Sequence, residues 1–144
     1  MAAIAYTWAF ARDLAGTRIP VITTLKAAAS LETKIGTPLM MVSGQVSPAV
    51  GSVTSFIGLA AQDTAAALSA NDPIKVELIA PGMLIKGTAT ADISAAEGFS
   101  GKTYDFASDG RLDQGDSVNG CLSVHRTEDS GLTVWATVTK FAAF

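Results

Sequence analysis

The sequence predicts a mainly β chain, a small barrel or sandwich-like domain with an N-terminal arm and little helix. Three observations carry this expectation. Short apolar runs with period-two alternation recur along the chain. Gly, Pro, Asn, Asp and Ser punctuate them at short intervals. No long amphipathic helical pattern interrupts the series, which argues against a βαβ architecture. At 144 residues the chain can build one hydrophobic core and little more. Residues 1–18 therefore read as an arm or first strand, and residues 19–144 as a single β-rich domain.

The first segment, AIAYTWAFARDLAGTRIP, carries Ile4, Tyr6, Trp8 and Phe10 in one period-two register. Such an alternation suits an extended strand with its aromatic side chains on one surface. That surface packs either against the domain itself or, as an arm, against another subunit, where aromatic anchors are effective. Gly16 and Pro20 supply the break that follows. Residues 19–35 join a β-branched run to an Ala-rich passage, leaving open a short helix over 25–31 or a turn beginning at Ser30. PLMMVSG and SVTSFIGLAAQD read as strands, with QVSPAVG between them as a turn segment. Residues 64–73 read as one or two helical turns or an irregular loop.

VELIAPGMLIKG, residues 76–87, sets two alternating runs on either side of Pro81-Gly82. The dipeptide favours a type II turn, with Pro fixing the second position and Gly accepting positive φ at the third. Tight hairpins instead use types I′ and II′, whose twist matches that of the flanking strands. Pro81 and Gly82 are thus expected to form a structural corner between strands that diverge. Farther on, KTYDFAS reads as a strand and DGRLDQGDSVNG as an exposed loop. CLSVHR and LTVWATVTKF complete the series, with EDSG as a short connection.

Composition narrows the function classes. Hydrophobic residues make up 49% of the chain and charged residues 16%, against about 25% charged in ordinary soluble domains. Much of the surface is then Ala, Gly, Ser and Thr, suited to lying against a neighbouring subunit. A net charge of −3 and a pI near 4.9 provide no general attraction to nucleic acid or to an acidic bilayer, and the ten basic residues form no run. No specific nucleic-acid partner is expected. Residues 35–62 are uncharged and long enough to cross a bilayer, but Pro38, Pro48 and the glycines at 36, 44, 51 and 58 favour strand, turn, strand over a membrane span. The N-terminus lacks the basic start and long apolar stretch of a secretory signal. Cys121 is the only cysteine, which fits a reducing compartment and allows no intrachain disulfide.

No catalytic, metal-binding or cofactor-binding residue is expected. His125 and Cys121 share a strand face at i and i+4, but they are too far apart along an extended chain for direct proton transfer. Asp105, Asp109, Asp113 and Asp116 lack EF-hand spacing and the terminal Glu, so they read as turn-forming and solvating residues. One Cys and one His cannot build a common structural zinc site. Walker A, GxGxxG, HExxH and GxSxG sequences are absent. Glu32, Glu77, Glu97 and Glu128 are scattered, with no pair that sequence can bring together. A hollow barrel would show the same alternation as a solid one, which keeps a small-ligand-binding barrel or an uncharacterised enzyme open.

The order GTPLMMVSG, SFIGLAAQD, DPIKVELIAPGMLIKGTATAD, a Gly/Asp-rich loop and LTVWATVTKF resembles the head-decoration or cement proteins of tailed bacteriophages. It is most similar to those with a compact β-barrel or β-tulip domain, over roughly residues 35–140. The resemblance implies a structural virion protein, not an enzyme, that binds the outer surface of the mature major-capsid lattice and stabilises the head against internal pressure. It would be made in the host cytoplasm and assemble as a homo-oligomer, with a trimer among the known arrangements. Within that resemblance Tyr6, Trp8 and Phe10 would supply apolar contacts to the major capsid protein, and Arg12 would pair with an acidic capsid group. A phage tail or baseplate subunit is the alternative that the same composition would fit.

Overall fold

The computed structural model describes residues 4–93, 99 and 101–142. Among the described residues, strands and isolated bridges account for 46% and helix for none. Among the described residues eleven strands run in order: β1 (Ala9–Asp13), β2 (Val21–Lys26), β3 (Pro38–Val42), β4 (Gln45–Pro48), β5 (Phe56–Ala60), β6 (Pro73–Leu78), β7 (Met83–Thr88), β8 (Asp105–Phe106), β9 (Leu112–Asp113), β10 (Leu122–Glu128) and β11 (Thr133–Val138). They form a four-stranded sheet in the order β1-β7-β11-β10, a five-stranded sheet in the order β2-β6-β5-β3-β4, and the small pair β8-β9. All strand pairings are antiparallel. None of the sheets closes into a barrel. The edges β2 and β4 approach at one end only, where the Ala28 N–H donates to the Val46 carbonyl at 2.9 Å.

β5 explains how the layers share a core. All five residues of FIGLA are buried. Phe56 and Leu59 join Ile85, Leu122, Val134 and Ala136 in the larger cluster against the four-stranded sheet. Ile57 and Ala60 join Leu39, Val46, Ile74 and Val76 in a second cluster on the opposite side. A strand covered on both faces has no polar side to show, hence the continuous apolar run.

Several local expectations are revised by backbone geometry. QVSP is a strand rather than a turn: the reversal lies at Ser43-Gly44, both at positive φ, between the paired residues Val42 and Gln45. Two positive-φ residues make the I′-type hairpin loop that strand twist favours. No helix forms over 25–31; the β-branched residues continue as β2, paired along its length with β6, and Ser30 turns the chain at φ 66°. KTYDFAS contributes only Asp105 and Phe106 to a strand, preceded by a Tyr104–Leu122 bridge. No helix among the described residues is long and apolar enough to cross a membrane.

The corner at Pro81-Gly82 carries the chain from one sheet to the other, since β6 lies in the five-stranded sheet and β7 in the four-stranded one. The Met83 N–H donates to the Ala80 carbonyl at 3.1 Å, and Gly82 sits at φ 85°. These are the closing hydrogen bond and the third-position conformation of a type II turn.

Candidate functional site

The N-terminal segment is built into the domain. The Tyr6 N–H donates to the Asp109 carbonyl at 3.0 Å and the Trp8 N–H to the Gly36 carbonyl at 2.8 Å, before β1 pairs with β7. Gly36 and Gly110 permit the close approach: each has positive φ, and a Cβ on either would overlap backbone atoms of Trp8 or Tyr6. Trp8 is 3% exposed. Its Nε1 donates to the Gly110 carbonyl at 2.7 Å, and its ring meets Phe106 edge-on at 5.7 Å. Trp8 is therefore corrected from a capsid anchor to a core residue, because a buried indole whose donor is already bonded has nothing to offer a partner. Phe10 is half-buried against the same cluster. Tyr6 stays 39% exposed, its ring stacked under the Arg111 guanidinium at 4.6 Å. Arg12 is exposed. Of the four docking candidates, Tyr6 and Arg12 thus present their side chains to solvent.

Pro81 and Gly82 are clamped by a loop, residues 13–18, that sequence reasoning did not single out. The Asp13 carboxylate accepts from the Ala15 and Arg18 N–H groups and from the Arg18 guanidinium, Nε at 2.8 Å and Nη2 at 3.0 Å. The same Nη2 donates to the Pro81 carbonyl at 2.8 Å, and the Leu14 N–H to the Gly82 carbonyl at 2.9 Å. The guanidinium, above all by hydrogen bonding, holds the Asp13 carboxyl far below the usual carboxylate range.

Beside this clamp lies the most exposed apolar surface. Ile19, Val21, Ile22 and Ile35 are 77%, 65%, 59% and 63% exposed. β2 is an edge of its sheet, paired along its length only with β6. Ile22 and Ile35 border a groove of about 410 Å³ that Phe10, Ala61 and Glu77 also line. Desolvation raises the Glu77 carboxyl above its ordinary value. On the other face of β2, Ile19 and Val21 border an open groove with Leu78, Ala80 and Met83. Both grooves are open to solvent, shaped for a docking surface more than for an enclosed small molecule.

The residues with potential chemistry are kept apart. Cys121 is wholly buried, and burial, followed by the nearby Asp105, pushes its thiol up to about 12. His125 is exposed at a β-bulge, with Nε2 3.0 Å from Thr137 Oγ1. Thiol and imidazole do not form a pair. Asp109 is hydrogen-bonded to Arg111, and Asp113 accepts from the Gly115 N–H at 3.0 Å, the turn-forming uses expected of them. Asp105 departs from expectation: it is 3% exposed, its Oδ1 has no hydrogen-bond partner, and burial together with Asp116 raises its carboxyl to about 6. No group of three metal-ligating side chains occurs among the described residues. Compared with protein-family models, with curated proteins and with solved structures, the chain matches none.

Proposed function

We propose that this chain is a structural virion protein that docks on the outer surface of a mature major-capsid lattice and stabilises the head. The observation that carries the proposal is the edge strand β2, flanked by exposed apolar side chains on both faces, Ile22 and Ile35 on one and Ile19 and Val21 on the other. Soluble proteins usually blunt such edges with charge, bulges or a covering loop, because the unpaired strand recruits other chains. Here β2 reads VITTLK, with its one charge at the end. A subunit that spends its working life bound to a lattice needs no such protection. Tyr6 and Arg12 would extend the contact with an aromatic ring and a cation. Preferential binding to the mature lattice would favour that state by mass action. A homo-oligomer, with three-fold symmetry among its options, would use the same kind of surface between copies.

The test is to add purified protein to mature heads lacking it. Binding with increased resistance to heat is expected, and Val21→Lys with Ile22→Lys should weaken it at least about tenfold. These positions are exposed, so folding should change by no more than about 0.5 kcal/mol. Absence of binding to heads, with specific attachment to tails or baseplates in labelled virion images, would refute the capsid assignment.

A further inference from the structure

The outward face of the four-stranded sheet is cationic in a chain whose net charge is −3, and two β-bulges make it so. On β1 the register shifts between Phe10, opposite Ile85, and Arg12, opposite Leu84. In a regular strand without the bulge, Ala11 would pair with Leu84 and Arg12 would share the inward parity of Phe10. On β10 the register shifts between Val124, opposite Ala136, and Arg126, opposite Trp135. The extra residue is His125; in a regular strand it would pair with Trp135, and Arg126 would face the core with Val124. Each bulge thus turns an arginine outward from an edge strand. Between them, Lys86 on β7 lies directly opposite Trp135 on β11.

These residues form one surface. The Lys86 Nζ lies 4.9 Å from the Trp135 ring centroid and the Arg126 Cζ lies 4.7 Å from it. The two cations are thereby held over an aromatic platform. Arg12 occupies the next row, and the His125 imidazole reaches Thr137 on the same face. Glu128, at the hairpin end, pairs with Arg126 at 2.5 Å. Among the described residues, Arg12 and Lys86 have no carboxylate within ion-pair distance. Bulges that re-aim side chains are features a sheet edge keeps for a use.

We infer that this face is a second docking surface, for a protein surface rich in Asp and Glu. Charge complementarity identifies the partner class: three cations from three strands, spaced across a rigid sheet, match carboxylates fixed on a folded surface. A single-stranded nucleic acid fits less well. Such ligands stack their bases on open aromatic rings, whereas Trp135 is buried beneath the two cationic side chains. The overall negative charge also opposes a long polyanion with no other foothold. The inference does not depend on the partner being a capsid; Arg12 is the one residue it shares with the capsid proposal, and Lys86, Arg126 and Trp135 are separate from the exposed residues around β2.

The experiment uses the full chain and immobilised poly-L-glutamate, with a single-stranded oligonucleotide of matched charge as the comparison, by surface plasmon resonance at 50 and 300 mM salt. Binding to poly-L-glutamate is expected at low salt, falling at least tenfold at high salt and at least tenfold in Lys86→Glu/Arg126→Glu. Circular dichroism checks the fold of each variant. If the double charge reversal does not fold, Lys86→Gln/Arg126→Gln is read instead, with a loss of about fivefold expected. Failure of the wild-type chain to bind at 50 mM salt, equal binding by the folded variants, or tighter binding to the oligonucleotide would each overturn the inference. Because heads play no part in this assay, its failure would leave the capsid proposal standing, and the reverse also holds.

Discussion

Replacing Trp8 by alanine should cost about 4 kcal/mol of folding free energy, because the residue belongs to the core. The ring is 3% exposed and packs edge-on against Phe106, so its removal leaves a cavity where large-to-small aromatic changes cost about 3–5 kcal/mol. The Gly110 carbonyl also loses the Nε1 donor it accepts from at 2.7 Å, a buried acceptor left unmatched at about 1 kcal/mol. Against a typical stability of about 5–15 kcal/mol this is a large fraction. At about 3–4 °C per kcal/mol for a domain of this size, it lowers Tm by roughly 15 °C. Trp8→Phe keeps a ring but removes the donor, and should cost about 2 kcal/mol. Urea unfolding followed by far-ultraviolet circular dichroism measures both without relying on the fluorophore that is changed.

A double-mutant cycle sharpens the test. A Cβ on Gly87 would overlap the Trp8 indole. Gly87→Ala should therefore cost about 2 kcal/mol in the wild-type background, in the range for overpacking. In the Trp8→Ala background, where the indole is gone, it should cost less than about 1 kcal/mol, a coupling beyond that of independent sites. If Trp8→Ala were to leave stability within about 0.5 kcal/mol of wild type, as surface substitutions do, the core assignment would fail and the projecting arm would return. Deleting residues 1–14 cannot separate the two readings, since it removes β1 along with Trp8.

Three other outcomes follow from named contacts. Gly58→Ala should destabilise by about 3 kcal/mol in urea unfolding, because its Cβ would overlap the Glu77 carbonyl of the neighbouring strand, where backbone cannot yield as a side chain can. Asp105, whose folded carboxyl is raised to about 6 from 3.8, binds its proton more tightly folded than unfolded, so its contribution is full below pH 4 and is lost as pH rises through about 6. Asp105→Asn should flatten that part of the stability–pH profile measured by urea unfolding. Asp13 behaves with the opposite sign, its stabilisation present above pH 4 and fading as acid titrates the carboxylate away from Arg18; Arg18→Ala should remove that acid limb and speed hydrogen exchange at the Leu14 and Met83 amides, which close the corner.

What the sequence disclosed about the fold was what depends on near neighbours. The alternation through residues 83–89 places Met83, Ile85 and Ala89 in the core, as period two requires. The corner at Pro81-Gly82 was legible because turn type follows from the two residues that make the turn. Ser43-Gly44 carried a turn signal of the same kind, but Ser47-Pro48 competed with it four residues later, and only strand pairing decides between them. Alternation shows that Trp8 shares a face with Phe10 without saying what covers that face. Its hydrogen-bond partner lies 102 residues away. The exposure of β2 was similarly hidden, because VITT reads the same on a central strand as on an edge.

The cationic face shows why a parity argument fails where it matters most. Counting by twos from Phe10 sends Arg12 inward, and counting by twos from Val124 sends Arg126 inward. A charged residue at a core position would then look like an error in the strand assignment, or an argument for ending the strand early. The structure keeps both strands and inserts one residue in each, so that the inward and outward patterns on either side of the bulge are each satisfied. A buried unpaired arginine would be prohibitive, and the bulge is the smallest backbone change that relieves it. The misplaced charge is thus itself the sequence signal for the bulge. An arginine two residues beyond a core-facing aromatic or β-branched residue, in a strand that continues past it, marks where the register must shift and where an outward cation must appear.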